Sequence, residues 1–326
     1  MGWIIRPNEN IVNPKFFYYL LSKIGVPSRG YNRHFSILKK QRYPAIPKTI
    51  QDKIVAQIEP IERKIKELKS KITPAQEIIN KVFARELSFD LEKFEKLKKE
   101  KFFYVDISNI ITPLIRSTVV QNSLSSNFLK SFFEKNKLFL KDILKKPIKR
   151  GRQPDYTEDG IKVVKTLNIQ KGQIIFEEVQ FVAESFLKNN EEKSGVYEND
   201  LLLTSTGMGR GRFALYSDEE TCLADSHISI IRFNQEKILP YFLNYYCQSF
   251  FGTEQLKYIE MQIKGTPEIY ESQLNYFQIP NTSLKNQQKI VDEIKGGLDA
   301  QDRIRKKIAM ERAGIDEIIE NAVARC

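Results

Sequence analysis

Positive side chains are concentrated in three loop-like segments of the sequence. The first segment surrounds Pro147 and Gly151 and contains Lys145, Lys146, Lys149, Arg150 and Arg152. Glycines flank the second pair, Arg210 and Arg212, and a third basic turn contains Lys264 and Thr266. Lysine mainly neutralises phosphate, whereas arginine can also bind a guanine edge through two hydrogen bonds. These residues are candidates for nucleic-acid contacts, although each cluster taken singly could be a solvated loop without a ligand.

Two further positions near these segments could contact a ligand. Asp155-Tyr156 follows the first basic segment and could stack on a base or contact its edge, but packing at the start of a strand is the more common role. His227 follows Asp225-Ser226 and is most simply interpreted as a strand residue with a satisfied hydrogen bond. We therefore do not assign His227 a catalytic role.

The spacings that mark common enzymes are missing from the sequence. There is no Walker loop, HExxH, glycine-rich dinucleotide turn, nucleophile elbow or adenine-methyltransferase motif. The glycine-rich run 206–212 lacks the Gly-Lys-Ser/Thr ending of a phosphate-binding loop. Two histidines are too few for a histidine-based metal site, and no Cys-x-x-Cys spacing is present. We expect no catalytic residue, metal or cofactor in this chain.

Composition limits the class of partner and the compartment. The chain has 326 residues, a formal net charge of +11 and 41% hydrophobic residues, which together indicate a packed protein with a polyanion as its default partner. Membrane surfaces and acidic proteins are alternative partners for such a charge. No apolar run approaches about 18 residues, and the N-terminus lacks a secretion signal. We expect a cytoplasmic protein that does not associate with membranes.

Short apolar runs between about residues 102 and 280 predict strands. The runs are 161–164, 173–176, 201–204 and 227–231. Their separators are turn-forming residues, namely Gly160, Gly172, Asn199-Asp200 and Gly207. Pro240 to Phe251, with its clustered aromatic residues, predicts a helix. The region should fold as a mixed α/β domain in which strands and helices do not strictly alternate.

Two segments have apolar residues at alternating spacings of four and three, the heptad pattern of paired helices. The first seam contains Ile54, Ile58, Ile61, Ile65, Leu68 and Ile72. The second contains Ile290, Ile294, Ile304, Ile308, Ile315 and Ile318. We expect the helices to pair within the chain, with the polar seam residues Gln301 and Glu311 fixing the register. Pro60 and Pro74 predict a kink or break in the first helix. Alternatively, both segments are amphipathic helices that cover a core.

The beginning of the chain repeats its end. Ile5-Arg6-Pro7-Asn8 returns as Ile231-Arg232-Phe233-Asn234, and the aromatic segment after Pro14 returns after Pro240. Ile46-Pro47 reappears as Ile279-Pro280; in this alignment Gln51 corresponds to Gln288 and Ile54 to Ile290. Residues 1–45 should therefore be the tail of a domain that the second copy contains in full.

Three stretches of the sequence resemble the DNA-specificity subunits of Type I restriction–modification systems. They are Gly151-Arg152-Gln153-Pro154-Asp155-Tyr156 leading to Leu167-Asn168-Ile169, the run from Asn199 to Gly207, and Gln278-Ile279-Pro280 leading to Ile290-Val291. No single stretch is diagnostic. Their order, together with an Ile-Pro turn before a long helix at two places, carries the resemblance over nearly the whole chain.

The resemblance implies a non-catalytic subunit that recognises double-stranded DNA. Its fold would be α/β, a mixed α+β target-recognition domain with two long antiparallel coiled-coil-like helices. Residues 1–45 would be the tail of an incomplete first recognition domain, 46–92 and 284–326 the spacer helices, and 93–283 a complete recognition domain. Methyltransferase and restriction subunits would be its partners and would use S-adenosylmethionine and ATP. The short first domain implies a truncation or a half-subunit that forms a homodimer.

Two other functions also fit the residues. The helices could bind protein partners in a coiled-coil adaptor or structural protein whose charge serves only solubility. Exposed tyrosine and phenylalanine could instead stack on unpaired bases in an RNA-binding module.

Overall fold

The computed structural model describes residues 7–24, 44–100, 124–134, 138–170, 172–207, 209–259, 261–263 and 266–324. They divide into two units, Met1–Thr73 with Leu298–Cys326, and Pro74–Gly297. None of the helices in these described ranges is both long enough and apolar enough to cross a membrane.

The described ranges contain helices and short strands joined by turns and loops. The helices are α1 (Pro14–Ile24), α2 (Lys48–Ser70), α3 (Ala75–Glu86), α4 (Leu91–Lys99), α5 (Leu124–Phe133), α6 (Glu184–Ser194), α7 (Pro240–Gln248), α8 (Phe250–Ile259), α9 (Glu271–Leu274) and α10 (Leu284–Ala324). The strands are β1 (Leu138–Phe139), β2 (Lys149–Arg150), β3 (Ile161–Val164), β4 (Ile169–Gln170), β5 (Gln173–Ile174), β6 (Gln180–Val182), β7 (Gly195–Val196), β8 (Leu201–Thr204), β9 (Phe213–Leu215), β10 (Cys222–Ala224), β11 (Ile228–Ile231), β12 (Met261–Ile263), β13 (Thr266–Glu268) and β14 (Gln278–Ile279).

In the first unit, α2 pairs with the C-terminal part of α10. The Lys64 ammonium lies 2.5 Å from the Glu311 carboxylate, and the Thr73 N–H donates to Gln301 Oε1 at 2.9 Å. As the residue number rises from 64 to 73 on one side, it falls from 311 to 301 on the other, so the two segments run antiparallel. Both polar seam residues therefore contact the partner segment.

The seam residues of this unit share one hydrophobic core with α1. Its buried members are Phe16, Tyr19, Leu20, Ile46, Ile54, Val55, Ile58, Ile65, Ile308, Ile315 and Ile319, and Ile61, Leu68, Ile72, Ile304 and Ile318 pack against them half-buried. Burial of so many branched aliphatic side chains is what holds two otherwise polar helices together.

In the second unit, α3 pairs with the N-terminal part of α10. Lys289 Nζ lies 2.9 Å from the Glu86 carboxylate, and the hydrogen bond from Lys289 lowers the pKa of Glu86. A Cβ atom at Gly297 would lie 2.8 Å from Ile78 Cγ2, so a glycine permits the close approach of the two helices there. Ile290 and Ile294 are buried in this unit.

The first helix is interrupted at one of the two prolines. α2 runs through Pro60, whereas Pro74 lies just before α3 and ends the helical path after Ser70. A residue before proline is pushed out of the helical region, which leaves its N–H without an intrahelical partner. Gln301 supplies that partner for Thr73.

The strands of the second unit form two four-stranded sheets and several two-stranded ones. The first sheet has the order β6-β3-β10-β7 and the second the order β2-β11-β8-β9; β1 pairs with β14, β4 with β5 and β12 with β13. β10 is parallel to β3 and antiparallel to β7. The predicted mixed fold, in which strands and helices do not alternate strictly, is confirmed.

The core of this domain lies on both faces of the first sheet. Val164 contributes to a cluster with Leu202 and Ile230 of the second sheet. Its neighbour Val163 contributes to a cluster on the other face, against which Leu187 of α6 packs. Successive strand residues point to opposite faces, so a wholly apolar strand is buried on both sides.

The predicted turn positions adopt the left-handed backbone conformation. Gly160, Gly172 and Gly207 have φ of 123°, 79° and 82°, and Asn199 has φ of 68°. Glycine tolerates this region at no steric cost, and asparagine is the usual substitute. The strands predicted beside them are present, with the second shortened to Gln173–Ile174.

The helix predicted from Pro240 to Phe251 is two helices. α7 ends at Gln248, Ser249 takes an extended conformation with ψ of 168°, and α8 begins at Phe250. Ser249 directs its hydroxyl back to the Tyr246 carbonyl, while its own carbonyl accepts from the Thr253 N–H at 3.0 Å. The serine thus ends one helix and starts the next, which apolar spacing alone does not reveal.

Candidate nucleic-acid interface

The sheet topology brings the first two predicted basic segments close to β13, which follows the third; Lys264, the cation of that third turn, lies outside the described residues. Arg150 of β2 pairs with Ser229 of β11, and Ser229 pairs with Leu203 of β8. The chain leaving β8 forms a bridge between Thr206 and Glu268 of β13. Segments 145–152, 206–212 and 266–271 are therefore neighbours although the sequence separates them widely.

The half-buried side chain of Arg150 joins the first segment to residues 268–271. Its guanidinium donates to Glu271 Oε1 at 2.9 Å, to the Ile269 carbonyl at 3.1 Å, and to Glu268. The hydrogen bond from Arg150 lowers the pKa of Glu268. Because three donors already have protein acceptors, Arg150 would have to break these contacts to bind DNA. Its DNA contact stays a prediction, while its structural role is visible.

Of the two residues after Arg150, Gly151 is packed against β10 and Arg152 is exposed. A Cβ atom at Gly151 would lie 2.0 Å from the Ala224 carbonyl oxygen, so only glycine fits against β10 there. The Arg152 N–H donates to Ser194 Oγ at 3.0 Å, while its side chain is exposed. No ion pair to Arg152 is found among the described residues. The Arg152 guanidinium is therefore accessible, and its contact with DNA stays a prediction.

The lysines of the first segment lie at the surface. Lys145 and Lys146 are exposed, and the Lys145 N–H donates to the Arg232 carbonyl at 2.9 Å. Lys149 Nζ lies 2.6 Å from Glu192 Oε1, and this hydrogen bond lowers the pKa of Glu192. Lys145 and Lys146 are thus accessible, whereas Lys149 is partly neutralised.

The second cluster lies on the turn between β8 and β9. Gly207 and Gly211 both have φ of 82°, and the Gly211 N–H closes the turn on the Thr204 carbonyl at 2.8 Å. Arg210 is half-buried in this turn. Arg212 is exposed and donates to the Ile169 carbonyl at 3.3 Å. The glycines predicted to flank these cations are what allow the turn to form.

The remaining predicted residues are less informative. Lys264 lies outside the described residues, and Thr266 begins β13, where it pairs with Ile263. Tyr156 is 37% exposed, with the Lys165 ammonium 4.7 Å from its ring centre. His227 shares a hydrogen bond with the Thr206 hydroxyl, as expected, but it lies in the turn just before β11 rather than in the strand.

Sequence reasoning missed part of the surface beside the first segment. A cleft of about 790 Å³ lies between β2, the last turns of α6 and the start of α9. Its polar lining includes Lys149, Arg150, Arg152, Asn189, Lys193 and Tyr270. The polar run 188–193 is the only sequence signal, and it reads equally well as a solvated helix face. No spacing rule connects it to Arg152.

Three solved structures match nearly the whole chain. One belongs to a study of complex assembly and conformational transition of the type I R-M system, with 13% identity, a TM-score of 0.48, and coverage of 98% of this chain and 73% of that one. The HsdS subunit from Thermoanaerobacter tengcongensis has 14% identity, a TM-score of 0.42, and coverage of 98% and 72%. The Type-I restriction-modification system S subunit from M. genitalium has 13% identity, a TM-score of 0.40, and coverage of 97% and 74%. No protein-family model and no curated protein matches the chain.

Proposed function

We propose that this chain is the DNA-specificity subunit of a Type I restriction–modification complex and that it recognises double-stranded DNA without catalytic activity of its own. The observation that carries the proposal is that β11 pairs with both β2, in the basic segment 145–152, and β8, which leads into the basic segment 206–212. A surface with clustered, accessible cations is what phosphate binding needs.

The proposal also assigns a role to each part of the chain. Residues 93–283 would be the recognition domain, and 46–92 and 284–326 the spacer helices. Helix α10 has 41 residues, which at about 1.5 Å per residue gives about 60 Å. This length exceeds one turn of B-DNA, about 34–36 Å, so such a helix is long enough to span a gapped target.

The chemistry of the complex belongs to its other subunits. Methyltransferase subunits using S-adenosylmethionine and a restriction subunit using ATP would dock on the helices and the recognition domain. A homodimer of this chain would read a palindromic gapped site, whereas pairing with a different specificity chain would give an asymmetric one. The assembly would work in the cytoplasm, where the chromosome is accessible.

The accessible cations divide into two roles. Lys145 and Lys146 would contact phosphates and give affinity that falls with salt. Arg152 and Arg212 carry guanidinium groups, which can also read guanine in the major groove. Arg150, held by Glu268 and Glu271, would act by keeping the loops in place.

Methylome sequencing tests this function in cells. The chain would be expressed with its candidate methyltransferase subunits in a host lacking other adenine methylation. The expected result is methylation of one gapped adenine-containing motif that disappears when this chain alone is omitted. Copurification of the tagged chain with the methyltransferase subunits should accompany it. An unchanged methylome with and without the chain would contradict the proposal.

A binding experiment separates this function from RNA recognition. The purified complex would be titrated with a labelled duplex containing the motif, and unlabelled duplex and single-stranded RNA would compete. We expect duplex with the motif to compete best. Preferential competition by single-stranded RNA would instead identify an RNA-binding module.

A further inference from the structure

The cleft beside β2 is lined by two kinds of polar side chain: those that already have a protein partner among the described residues and those that do not. Lys149 is held by Glu192, and Arg150 by Glu268 and Glu271, so these two cations form the wall of the cleft. Arg152, Asn189 and Lys193 also line it, and all three are exposed. Within the described ranges, none of these three side chains has a hydrogen bond or an ion pair. The cleft therefore presents a guanidinium, an amide and an ammonium group to a ligand.

Two contacts hold the sides of the cleft at a fixed separation. Lys149 Nζ reaches the Glu192 carbonyl at 3.2 Å, and the Arg152 N–H donates to the fully buried Ser194 Oγ at 3.0 Å. Both contacts join the β2 segment to the last turn of α6. Because the β2 segment and the last turn of α6 are joined at two points, the backbone positions that carry Arg152 and Lys193 are held relative to each other. Such an arrangement reduces the entropy lost when a ligand binds.

The charge of the cleft suits a polyanion despite the helix end nearby. The C-terminal end of a helix is the negative end of its dipole and by itself repels phosphate. Lys149 offsets this by donating to a carbonyl of that end, and Lys193 lies in the last turn. Among the lining residues, four cations face two carboxylates, Glu192 and Glu271. The cleft thus retains a net positive charge.

The groups that line the cleft differ in what they can read. Guanidinium and carboxamide side chains make paired hydrogen bonds to guanine and adenine edges, respectively, in the major groove. An ammonium group is a point charge that recognises phosphate without regard to sequence. A cleft containing all three could therefore hold the backbone and read adjacent bases at once.

We propose that this cleft is a base-reading site of the chain, in which Arg152 recognises a guanine, Asn189 recognises an adenine and Lys193 contacts the neighbouring phosphate. The inference rests on the proposed DNA-specificity function and deepens it by naming residues that determine the sequence. Asn189 and Lys193 would be specificity and affinity determinants, respectively, on one helix.

The test compares three single variants of the full chain in its complex with methyltransferase subunits. Asn189→Ala removes the amide, Lys193→Ala removes the ammonium, and Lys188→Ala is the control because Lys188 is exposed on the same helix but does not line the cleft. Selection from a randomised duplex library gives the preferred site, and titration at several salt concentrations gives affinity. Thermal melting confirms folding, since alanine favours a helix at all three positions.

Distinct outcomes are expected for the three variants. Asn189→Ala should lose discrimination at one adenine position by about 5- to 100-fold and leave the other positions unchanged. Lys193→Ala should weaken all duplexes evenly and lower the slope of log affinity against log salt by about one. Lys188→Ala should behave like the wild type.

Two results would overturn different parts of the argument. If the wild-type complex selects a site and Asn189→Ala selects the same site with equal stringency, the cleft does not read bases, although the proposed function stands. Equal effects of Lys188→Ala and Lys193→Ala would likewise remove the assignment of the cleft. If the wild-type complex selects no site, the proposed function fails and this inference fails with it.

Discussion

Gln51 and Gln287 make the same set of hydrogen bonds in two different parts of the chain. Each is buried and is the fourth residue of its helix, α2 or α10. Each amide oxygen accepts a hydrogen bond from the backbone N–H of the residue just before a helix that begins with proline. Gln51 accepts from Asn13 and Gln287 from Leu239, both at 2.8 Å. The amide nitrogens donate to backbone carbonyls of Ile11 and Ile46 in one copy, and Lys237 and Thr282 in the other.

This relationship corrects the sequence alignment and extends the internal repeat to three dimensions. The sequence pattern matched Gln51 with Gln288, but Gln288 is exposed and donates to Asp292 instead. The turn before each helix is repeated too, since Asn8 and Asn234 both accept a hydrogen bond from the N–H two residues later. The repeated sequence therefore encodes a repeated hydrogen-bonding unit.

Replacing either buried glutamine by alanine should destabilise the protein. Gln51→Ala and Gln287→Ala each leave a backbone N–H and carbonyls without partners, at a cost of about 1–3 kcal/mol. Gln288→Ala is the matched control and should change the free energy of unfolding by less than about 0.5 kcal/mol. Urea denaturation followed by circular dichroism measures all three. Equal losses at Gln287 and Gln288 would contradict the structural equivalence.

Local sequence signals predicted the turns and strands well because they depend on neighbouring residues. Gly160, Gly172 and Asn199 have the positive φ that turn chemistry requires, and the strands beside them are present. The seam pattern likewise identified Ile58 and Ile308, which share one core. Both predictions succeeded because the residues that produce the turn or the seam lie close together in the sequence.

Long-range partners could not be predicted in the same way. Arg150 was grouped with other loop cations, but its carboxylate partners Glu268 and Glu271 lie more than a hundred residues later. Nothing in the spacing of a single charged residue reveals such a partner. The cleft could not be predicted for the same reason, because Asn189 and Arg152 are distant in sequence and line one cleft only in the folded domain.

A charge in the helix seam should unfold the first unit. Ile65 and Ile308 belong to one hydrophobic cluster, so aspartate at both positions places two unpaired carboxylates in an apolar core. We expect the double variant Ile65→Asp with Ile308→Asp to lose roughly 4 kcal/mol or more and to aggregate. Met310→Asp is the control, since Met310 is 73% exposed on the same helix. Wild-type melting and elution of the double variant would remove the pairing argument.

Arg150 and Arg152 should respond differently to alanine. Arg152→Ala removes an exposed cation, so stability should change by less than about 0.5 kcal/mol, while the preference for a duplex with the target guanine over one with that base changed should fall. Arg150→Ala removes the ion-pair partner of Glu268 and Glu271 and should lower the free energy of unfolding by about 1–3 kcal/mol. Melting and titrations at several salt concentrations distinguish the two. If a variant carrying both Arg150→Ala and Arg152→Ala kept the wild-type affinity and salt slope, segment 145–152 would have no role in DNA binding.

The Arg150–Glu268 contact predicts an acid-sensitive contribution to stability. The hydrogen bond from Arg150 lowers the pKa of Glu268, so the folded state binds fewer protons than the unfolded state around the ordinary glutamate pKa of about 4.3. The contribution is present above that pH and is lost as the pH falls through the lowered pKa. Asp225 acts in the opposite direction, because burial raises its pKa.

Comparing the wild type with Glu268→Gln isolates this contribution, since Asp225 is present in both proteins. The free energy of unfolding should be measured by urea denaturation between about pH 6 and pH 3. The wild type should lose stability more steeply with falling pH than the variant. Parallel pH profiles would show that the contact does not favour the ionised form of Glu268.

Adjacent glycines in α10 should respond to alanine with opposite signs. A Cβ atom at Gly296 would have nothing within 4 Å, so Gly296→Ala should stabilise the helix by about 1 kcal/mol. At Gly297 the new methyl group would lie 2.8 Å from Ile78 Cγ2, a branched atom of α3 that cannot rotate away freely. Forcing the helices apart there should outweigh the gain in helix propensity and destabilise the protein by about 1–2 kcal/mol. Thermal and urea unfolding of the two variants give the comparison directly, and equal stabilisation by both would show that α3 and α10 do not approach closely at Gly297.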